Sequence, residues 1–135
     1  MLNRPSTWQT RFCPSGNKAV MTREIKRGEI YWVDWAPGRG SEQTGKRPAL
    51  VIQNDIGNRF SPTSIVAACS TAQSKPYPFI VPVTKGESGL PKECGINLAT
   101  ILTVDKSRLV KKAGQLTEEK MNEVNEAIKR SLGID

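Results

Sequence analysis

Histidine is absent from this sequence. The absence excludes catalytic triads and acid–base pairs that use an imidazole, and it excludes metal sites with histidine ligands. The three cysteines, Cys13, Cys69 and Cys94, are far apart and never form a C-x-x-C pair. We therefore expect neither a disulfide scaffold nor a structural zinc, and we expect Cys69, which lies in an apolar run, to be a small buried side chain.

Long hydrophobic segments are also missing. No apolar run approaches the length of a membrane span, and the N-terminus lacks the continuous hydrophobic segment of a signal peptide. We therefore expect a cytoplasmic protein with no membrane contact. The chain has 135 residues, of which 37% are hydrophobic and 24% charged, and this composition fits one domain with a modest core.

Positive charge is what the sequence has in excess. Twenty Lys and Arg residues against 13 Asp and Glu residues give a net charge of +7, which favours polyanions or acidic protein segments as partners. Residues 1–22 contain three basic residues, no acid and no periodicity, so we predict a disordered leader or an upstream translation start. The folded domain is then predicted over 23–135.

The body of the domain has the pattern of short strands separated by loops rich in turn residues. Strands are predicted at 29–35, 48–54, 64–70, 79–83 and 96–102. Pro48 and Pro82 must lie at a strand start, an edge or a bulge, because proline donates no ladder hydrogen bond. The loops between the strands are long for hairpin turns, and loops of this size often form binding surfaces.

One helix is predicted near the C-terminus, over 118–132. Thr117 can cap its start, Gly133 can end it, and a short turn is predicted at 105–108. Apolar residues recur at helical spacing and are expected to pack on the sheet; they are Met121, Val124, Ile128 and Leu132. The predicted fold is mainly β: a small, strongly curved barrel of the SH3-like type, closed by a C-terminal helix.

The loop over 38–48 concentrates glycines, polar side chains and cations immediately before an apolar strand. Its glycines allow close approach to a ligand, Ser41 and Gln43 can hydrogen-bond base edges or phosphates, and Pro48 holds Arg47 against the strand. A solvated hairpin loop without any ligand explains the same composition equally well.

A second set of polar residues follows the next two strands. Asn54 and Asn58 lie in one loop, where turn formation also explains them. Ser70 and Thr71 end an apolar strand, and Gln73 follows them. Hydroxyl groups at the end of a strand are rigidly placed and partly exposed, which suits the anchoring of a phosphate or a ribose hydroxyl.

These segments together resemble a known family. The stretch RGEIYWVDWAPGRGSEQTGKRPALVIQND, followed by FSPTSIVAACSTAQSKPYPF and TVDKSRL, is similar to the MazF/PemK family of toxin endoribonucleases from type II toxin-antitoxin modules. The resemblance covers 25–133. It implies a homodimeric CcdB-type barrel that cleaves single-stranded RNA at short sequences without a cofactor or metal, and a cognate antitoxin that places an acidic C-terminal segment in the RNA groove.

The resemblance also implies roles for individual residues. The family's catalytic arginine falls on Arg47 and its catalytic threonine on Ser70, with Thr71 as an alternative one position along. Side chains alternate across a regular strand, so only one of these two hydroxyls is expected to face the groove. Glu42 could accept the proton of the RNA 2′-hydroxyl, although an ion pair with a nearby cation is an equally good role for it.

Further positions correspond to RNA contacts in the family. Ser41 and Gln43 match its RNA-contacting loop, Asn54 and Asn58 match asparagines that read bases in relatives, and Thr71 and Gln73 are expected to contact RNA. The stretch 98–102 replaces one that often carries a Glu-Gln pair and an arginine. The recognised RNA sequence therefore cannot be copied from any relative.

Two alternatives from other classes stay open at this stage. A CcdB-like DNA gyrase poison would act by binding protein, and the barrel type alone does not distinguish it from a nuclease. That resemblance would lead us to expect an aromatic C-terminus, whereas this chain ends Ser-Leu-Gly-Ile-Asp. A non-catalytic RNA-binding module would use the same basic groove without turnover.

Overall fold

The computed structural model describes residues 24–35, 45–71 and 77–134. The described chain forms one six-stranded antiparallel sheet with the strand order β4-β5-β3-β2-β1-β6. The strands are β1 (Glu29–Trp35), β2 (Gly45–Val51), β3 (Thr63–Ser70), β4 (Ile80–Val83), β5 (Cys94–Asp105) and β6 (Leu109–Gln115). The helices are α1 (Asp55–Phe60), α2 (Lys85–Ser88), a 3-10 turn (Lys106–Arg108) and α3 (Glu118–Leu132).

The predicted fold class is confirmed: the chain is mainly β with a C-terminal helix. The strand predicted at 29–35, the helix at 118–132 and the turn at 105–108 are found where the sequence places them. Thr117 caps α3 by accepting from Lys120 N at 3.2 Å, and Gly133 ends it in the left-handed conformation, with φ of 74°. The predicted leader over 1–22 lies outside the described residues.

The sheet carries apolar side chains on both faces. On one face, Ile30, Leu50 and Ile96 pack with Val124 of α3 in a single buried cluster. On the other face, a second buried cluster includes Val33, Val51 and Leu109. Alternation along each strand assigns neighbouring residues to opposite faces. The helix α3 therefore covers one face of the sheet, and the second cluster lies on the other face.

Pro48 lies in a part of β2 that has a neighbour on one side only. β2 pairs with β1 from Gly45 to Leu50, but it pairs with β3 only from Ala49 to Val51. Pro48 therefore precedes the stretch of β2 that pairs with β3, so its missing N–H group removes no hydrogen bond between these two strands. Pro82 lies in β4, an edge strand, as predicted.

The two edge strands of the sheet approach each other through α2. Gly89, which ends α2 with φ of 76°, lies so close to β6 that a Cβ atom there would collide with the carbonyl oxygen of Ala113. A Cβ atom on Gly114 would collide with the carbonyl oxygen of Ser88 in the same way. Only glycine fits at both positions, and this contact brings β6 against the segment that follows β4.

Several predictions of local structure are wrong. β6 is missing from the predicted strands, because its sequence LVKKAGQ is mostly exposed and is held by pairing with β1. The segments that contain α1 and α2 are predicted as loops. β2 begins and ends three residues before the prediction, since Asn54 caps α1 instead of continuing the strand. Leu132 is 58% exposed and does not pack on the sheet, whereas Ala127 does.

No helix in the described part of the chain is long and apolar enough to cross a membrane.

Candidate functional site

A cleft of about 400 Å³ lies at one end of β2 and β3, and it contains three of the predicted site residues. Arg47 of β2, Ser70 at the end of β3 and the following residue, Thr71, all line it. Cys69, Gly45 and Pro48 form part of the same wall. The cleft therefore brings together the guanidinium and the two hydroxyl groups that the sequence singles out.

The register of the sheet explains why Arg47 and Ser70 meet. β2 and β3 are antiparallel, with Val51 opposite Val66 and Ala49 opposite Ala68. Continuing that register by two residues places Arg47 opposite Ser70 on the same face. Both residues line the same cleft, so one phosphate group bound there can contact both side chains.

Thr71 reaches the cleft for a different reason. Strict alternation would turn it away from the face that carries Ser70. However, β3 ends at Ser70, and Thr71 lies in the turn beyond it, where it is exposed. The expectation that only one of the two hydroxyls faces the groove applies to a regular strand, and the strand has ended before Thr71.

The charge of the cleft is positive. Lys46, Arg47 and Lys92 line it, and none of its described lining residues is acidic. Trp32 contributes an aromatic side chain, while Leu90 and Pro91 add apolar surface. Cations beside an aromatic ring are typical of surfaces that bind single-stranded nucleic acid, where bases stack and phosphates are neutralised.

Two predicted RNA contacts, Asn54 and Asn58, have structural roles around α1. Asn54 is the N-cap of this helix and accepts from Gly57 N at 2.7 Å. Asn58 is 2% exposed; its Nδ2 donates to Gln53 O at 2.9 Å, and its Oδ1 accepts from Ser64 Oγ at 2.7 Å. The turn chemistry that the sequence also allowed accounts for these contacts.

Neither asparagine lines the cleft of Arg47 and Ser70. Asn58 borders a different cleft of about 420 Å³, together with Phe60 and Lys106. The remaining predicted site residues lie outside the described residues; they are Ser41, Glu42, Gln43 and Gln73.

Several residues of the cleft are missing from the sequence prediction, among them Trp32, Lys92 and Cys94. Trp32 lies in a predicted strand with no polar neighbour to mark it, and Cys94 is apolar in character. Lys92 lies in the long loop between β4 and β5, and loops of this length are typical of binding surfaces. Its charge in that loop is the one sequence signal that could have identified it.

Two thiols of the cleft perturb each other. Cys69 and Cys94 are buried free cysteines of neighbouring strands. The Cys69 thiol lowers the pKa of Cys94, and interaction with Cys94, followed by burial, raises the pKa of Cys69 well above its ordinary value. Cys94 is therefore the group that loses a proton first.

Within the described ranges, no group of three or more Cys, Asp or Glu side chains is placed to hold a metal ion.

Comparison with known proteins relates this architecture to one family. Residues 26–132 match the family described as the PemK-like, MazF-like toxin of type II toxin-antitoxin system. The chain is 47% identical over 111 residues to the Endoribonuclease EndoA of Bacillus subtilis, covering 82% of this chain and 96% of that protein. It is 46% identical to the Endoribonuclease MazF of Staphylococcus saprophyticus, covering 82% and 92%.

A solved structure shares the fold. The mycobacterial endoribonuclease in complex with its cognate antitoxin superposes with a TM-score of 0.70 at 24% identity, covering 82% of this chain and 97% of that one.

Proposed function

Because the chain belongs to the PemK-like, MazF-like toxin family of type II toxin-antitoxin systems, we propose that it is an endoribonuclease that cleaves single-stranded mRNA at short sequences. Cleavage needs no metal ion and leaves 2′,3′-cyclic phosphate and 5′-hydroxyl ends. The toxin acts in the cytoplasm, where its substrate is found, and inhibits translation and growth. The observation that carries the proposal is the basic cleft that Arg47 and Ser70 both line.

The alternatives are not favoured by the relatives. Both curated relatives are named endoribonucleases, a name that fits neither a gyrase poison nor a binding module without turnover. A supercoiling assay with DNA gyrase separates the first alternative from the proposal. A gel shift in which the RNA stays intact after long incubation identifies the second.

The reaction uses a nucleophile that the substrate carries. The 2′-hydroxyl attacks the adjacent phosphorus, and the 5′-oxygen of the next nucleotide leaves. The enzyme has to hold the two oxygens in line, accept one proton, donate another and stabilise the charge that develops on the phosphoryl oxygens. A site without histidine can meet these requirements with a guanidinium and hydroxyl groups.

Arg47 has the group that stabilises the developing charge. Its guanidinium presents several donors in a fixed plane that matches two phosphoryl oxygens. Because a guanidinium is a very weak acid, we assign it electrostatic stabilisation and not proton transfer. Ser70, opposite Arg47, donates its hydroxyl hydrogen to the same phosphate. Glu42 is proposed to accept the 2′-proton.

The other lining residues bind the rest of the strand. Lys46 and Lys92 provide charge for phosphates flanking the cleaved bond, and Trp32 provides a ring on which a base can stack. Thr71, just past the end of β3, is placed to hydrogen-bond a neighbouring ribose or phosphate oxygen. Ser41, Gln43 and Gln73 are proposed to contact RNA from the adjoining loops.

Two copies of the chain are proposed to form the working unit. Large apolar side chains are exposed on α1 and β5: Ile56 is 74% exposed, Phe60 49% and Leu102 36%. Ile56 and Phe60 line the same surface cleft, and apolar side chains that share a surface patch are typical of protein interfaces. A homodimer would cover them, and it would give a small barrel enough surface to enclose a single strand.

The second proposed partner is the cognate antitoxin. The mycobacterial protein with the same fold has been solved with its antitoxin. For this chain, a basic cleft built for phosphates would also accept the carboxylates of an acidic, partly disordered antitoxin segment. Such a segment would compete directly with RNA, so inhibition would require no change in the fold of the toxin.

The experiment that tests the proposed function is product analysis. Purified protein is incubated with a long unstructured RNA in excess EDTA, and the new ends are mapped and characterised. We expect cuts at a short recurring sequence, with cyclic phosphate on one side and a 5′-hydroxyl on the other. RNA that stays intact, or cuts that appear only when a divalent metal is added, would contradict the proposal.

A further inference from the structure

Two cysteines that are distant in the sequence lie side by side at the ends of β3 and β5. In the β3–β5 register, Cys69 is opposite Ile96, and Cys94 lies two residues before Ile96 on the same face. Cys69 and Cys94 are therefore diagonal neighbours across the two strands. Both belong to the same buried cluster.

The pair can be reached from the surface. Cys69 and Cys94 both line the cleft of Arg47 and Ser70. Cys94 also lines a second cleft, of about 580 Å³, on its other side. At 7% exposure, Cys94 excludes large reagents, but a molecule as small as a peroxide can enter from either cleft.

The two thiols have different chemical roles. The Cys69 thiol lowers the pKa of Cys94, so Cys94 has the greater thiolate character, and thiolates are the species that react with oxidants. Lys92, two residues away in the same cleft, adds a positive charge, while Glu93 lines the cleft on the other side. Cys69 keeps its proton and lies beside Cys94, which is the arrangement of a resolving thiol.

We propose that Cys69 and Cys94 are an oxidisable dithiol, which a hydroperoxide such as hydrogen peroxide converts into a disulfide in the wall of the cleft beside Ser70. This proposal goes beyond the ribonuclease activity, and only its effect on RNA cleavage rests on the proposed function. Formation of the disulfide itself is independent of any activity.

Hydrogen peroxide oxidises the two thiols in two steps. The Cys94 sulfur attacks one oxygen of the peroxide, the O–O bond breaks, and Cys94 becomes a sulfenic acid while one water leaves. The Cys69 sulfur then attacks the sulfenic sulfur, the S–O bond breaks, and the second oxygen leaves as water with the Cys69 proton. In total, two thiols lose two electrons and two protons, and one hydrogen peroxide is reduced to two waters.

The effect on the site follows from the position of Cys69. A disulfide bond is shorter than any non-bonded contact between two sulfur atoms, so its formation between these diagonal neighbours pulls the end of β3 toward the start of β5. Ser70 is the next residue in the chain and lies opposite Arg47. A shift of its hydroxyl away from the guanidinium would disturb the alignment on which cleavage depends.

The test uses the full-length reduced protein with Cys13→Ser, which removes the third thiol. The protein is treated with hydrogen peroxide; disulfides are mapped by peptide mass spectrometry, and RNA cleavage is measured before and after treatment. We expect an intramolecular Cys69–Cys94 disulfide and a loss of at least about tenfold in the cleavage rate, consistent with a small displacement of catalytic groups. Dithiothreitol should restore the rate.

Two further variants, Cys69→Ala and Cys94→Ser, serve as controls, and each is compared with its own untreated sample so that its basal rate does not matter. Neither variant can form the disulfide, so the peroxide-dependent and reversible loss should disappear in both. If the thiols of the parent protein remain unpaired after peroxide treatment, the proposed oxidation to a disulfide is wrong. If the disulfide forms and the cleavage rate is unchanged, the proposed effect of the disulfide on the cleft is wrong. A disulfide that forms in a protein without any ribonuclease activity would instead contradict the proposed function.

Discussion

Arg47 of β2 and Ser70 of β3 lie opposite each other in the continued antiparallel register, and both line a cleft with no acidic side chain among its described lining residues. Val33 and Ala49 are buried close to Arg47 along the paired strands β1 and β2. The backbone of Arg47 is therefore held by pairing with β1, and Arg47 lines the cleft. Groups held on rigid elements in this way are suited to catalysis.

The relative importance of the two hydroxyls can be measured. We expect Ser70→Ala to lower kcat by about 10²-fold, as loss of one donor to a developing oxyanion does. Thr71→Ala should have a much smaller effect, because Thr71 lies beyond the end of β3 and not opposite Arg47. Rates are measured on a defined RNA under single-turnover conditions. If Thr71→Ala proves the more damaging change, the assignment is off by one position.

Lys92 is expected to bind a phosphate of the substrate. Binding of a non-cleavable 2′-O-methyl RNA is measured as a function of salt concentration. Lys92→Ala should weaken binding and reduce the slope of log affinity against log salt by about 0.7, the value for one contact with a single strand. Lys85→Ala is the matched control: Lys85 is an exposed lysine of α2 that does not line the cleft. Equal slopes for both variants would place Lys92 outside the RNA path.

Asn58 is expected to act on stability. Asn58→Ala removes the acceptor of the fully buried Ser64 hydroxyl, and an unsatisfied buried polar group costs about 1–3 kcal/mol. Urea unfolding should show a loss of this size, while the positions of the cuts in RNA stay the same. Asn54→Ala removes an exposed helix cap and should cost about 1 kcal/mol or less. Altered cleavage positions in a stable Asn58→Ala protein would instead assign this residue to base recognition.

Glu87 makes stability depend on pH in the acid range. Its carboxylate accepts from Thr84 N at 2.8 Å in a capping box and forms an ion pair with Lys120 of α3 at 3.4 Å. The backbone hydrogen bond from Thr84, aided by the Lys120 charge, lowers the pKa of Glu87. Because the pKa of Glu87 is lower in the folded state, its charge stabilises the protein at pH values above the pKa of the unfolded state. This contribution disappears as the pH falls through the lowered pKa.

The corresponding measurement compares the native protein with Glu87→Gln across pH. Above the ordinary glutamate pKa of about 4.3, the native protein should have the larger free energy of unfolding, by less than about 1 kcal/mol for such an exposed group. The two curves should converge at lower pH. Glu123→Gln removes a more exposed partner of the same lysine and should show a smaller difference. Parallel curves at all pH values would contradict the role of Glu87.

Sequence patterns located the parts of the fold whose signals are local. β1 alternates large apolar residues, and α3 has a cap, charged ends and a helical stripe, so both were placed correctly from the sequence. β6 has no such signal, because its alternating pattern is interrupted by Lys111, Lys112 and Gly114, and it exists through its pairing with β1. The need for glycine at positions 89 and 114 follows from the contact between α2 and β6, which no local pattern in the sequence indicates.

The candidate site also combines residues that have a local signal in the sequence with contacts that depend on the fold. Arg47 and Ser70 could be singled out because each has a chemical group at a recognisable position, one before a proline and one at the end of an apolar strand. Their approach, and that of Cys69 to Cys94, depends on strand register, which a single sequence does not reveal. For Asn58 the sequence does not decide the role, because an asparagine that holds a turn and one that reads a base have the same sequence signal.

We propose that Arg47 supplies the charge that makes this cleft a nuclease. Arg47→Ala is compared with Arg130→Ala, which removes an exposed arginine of α3 outside the cleft, and circular dichroism confirms that both are folded. In excess EDTA, we expect Arg130→Ala to cleave RNA at close to the native rate and Arg47→Ala to lose at least about 10²-fold in rate. Full cleavage by a folded Arg47→Ala protein would show that Arg47 does not have this role.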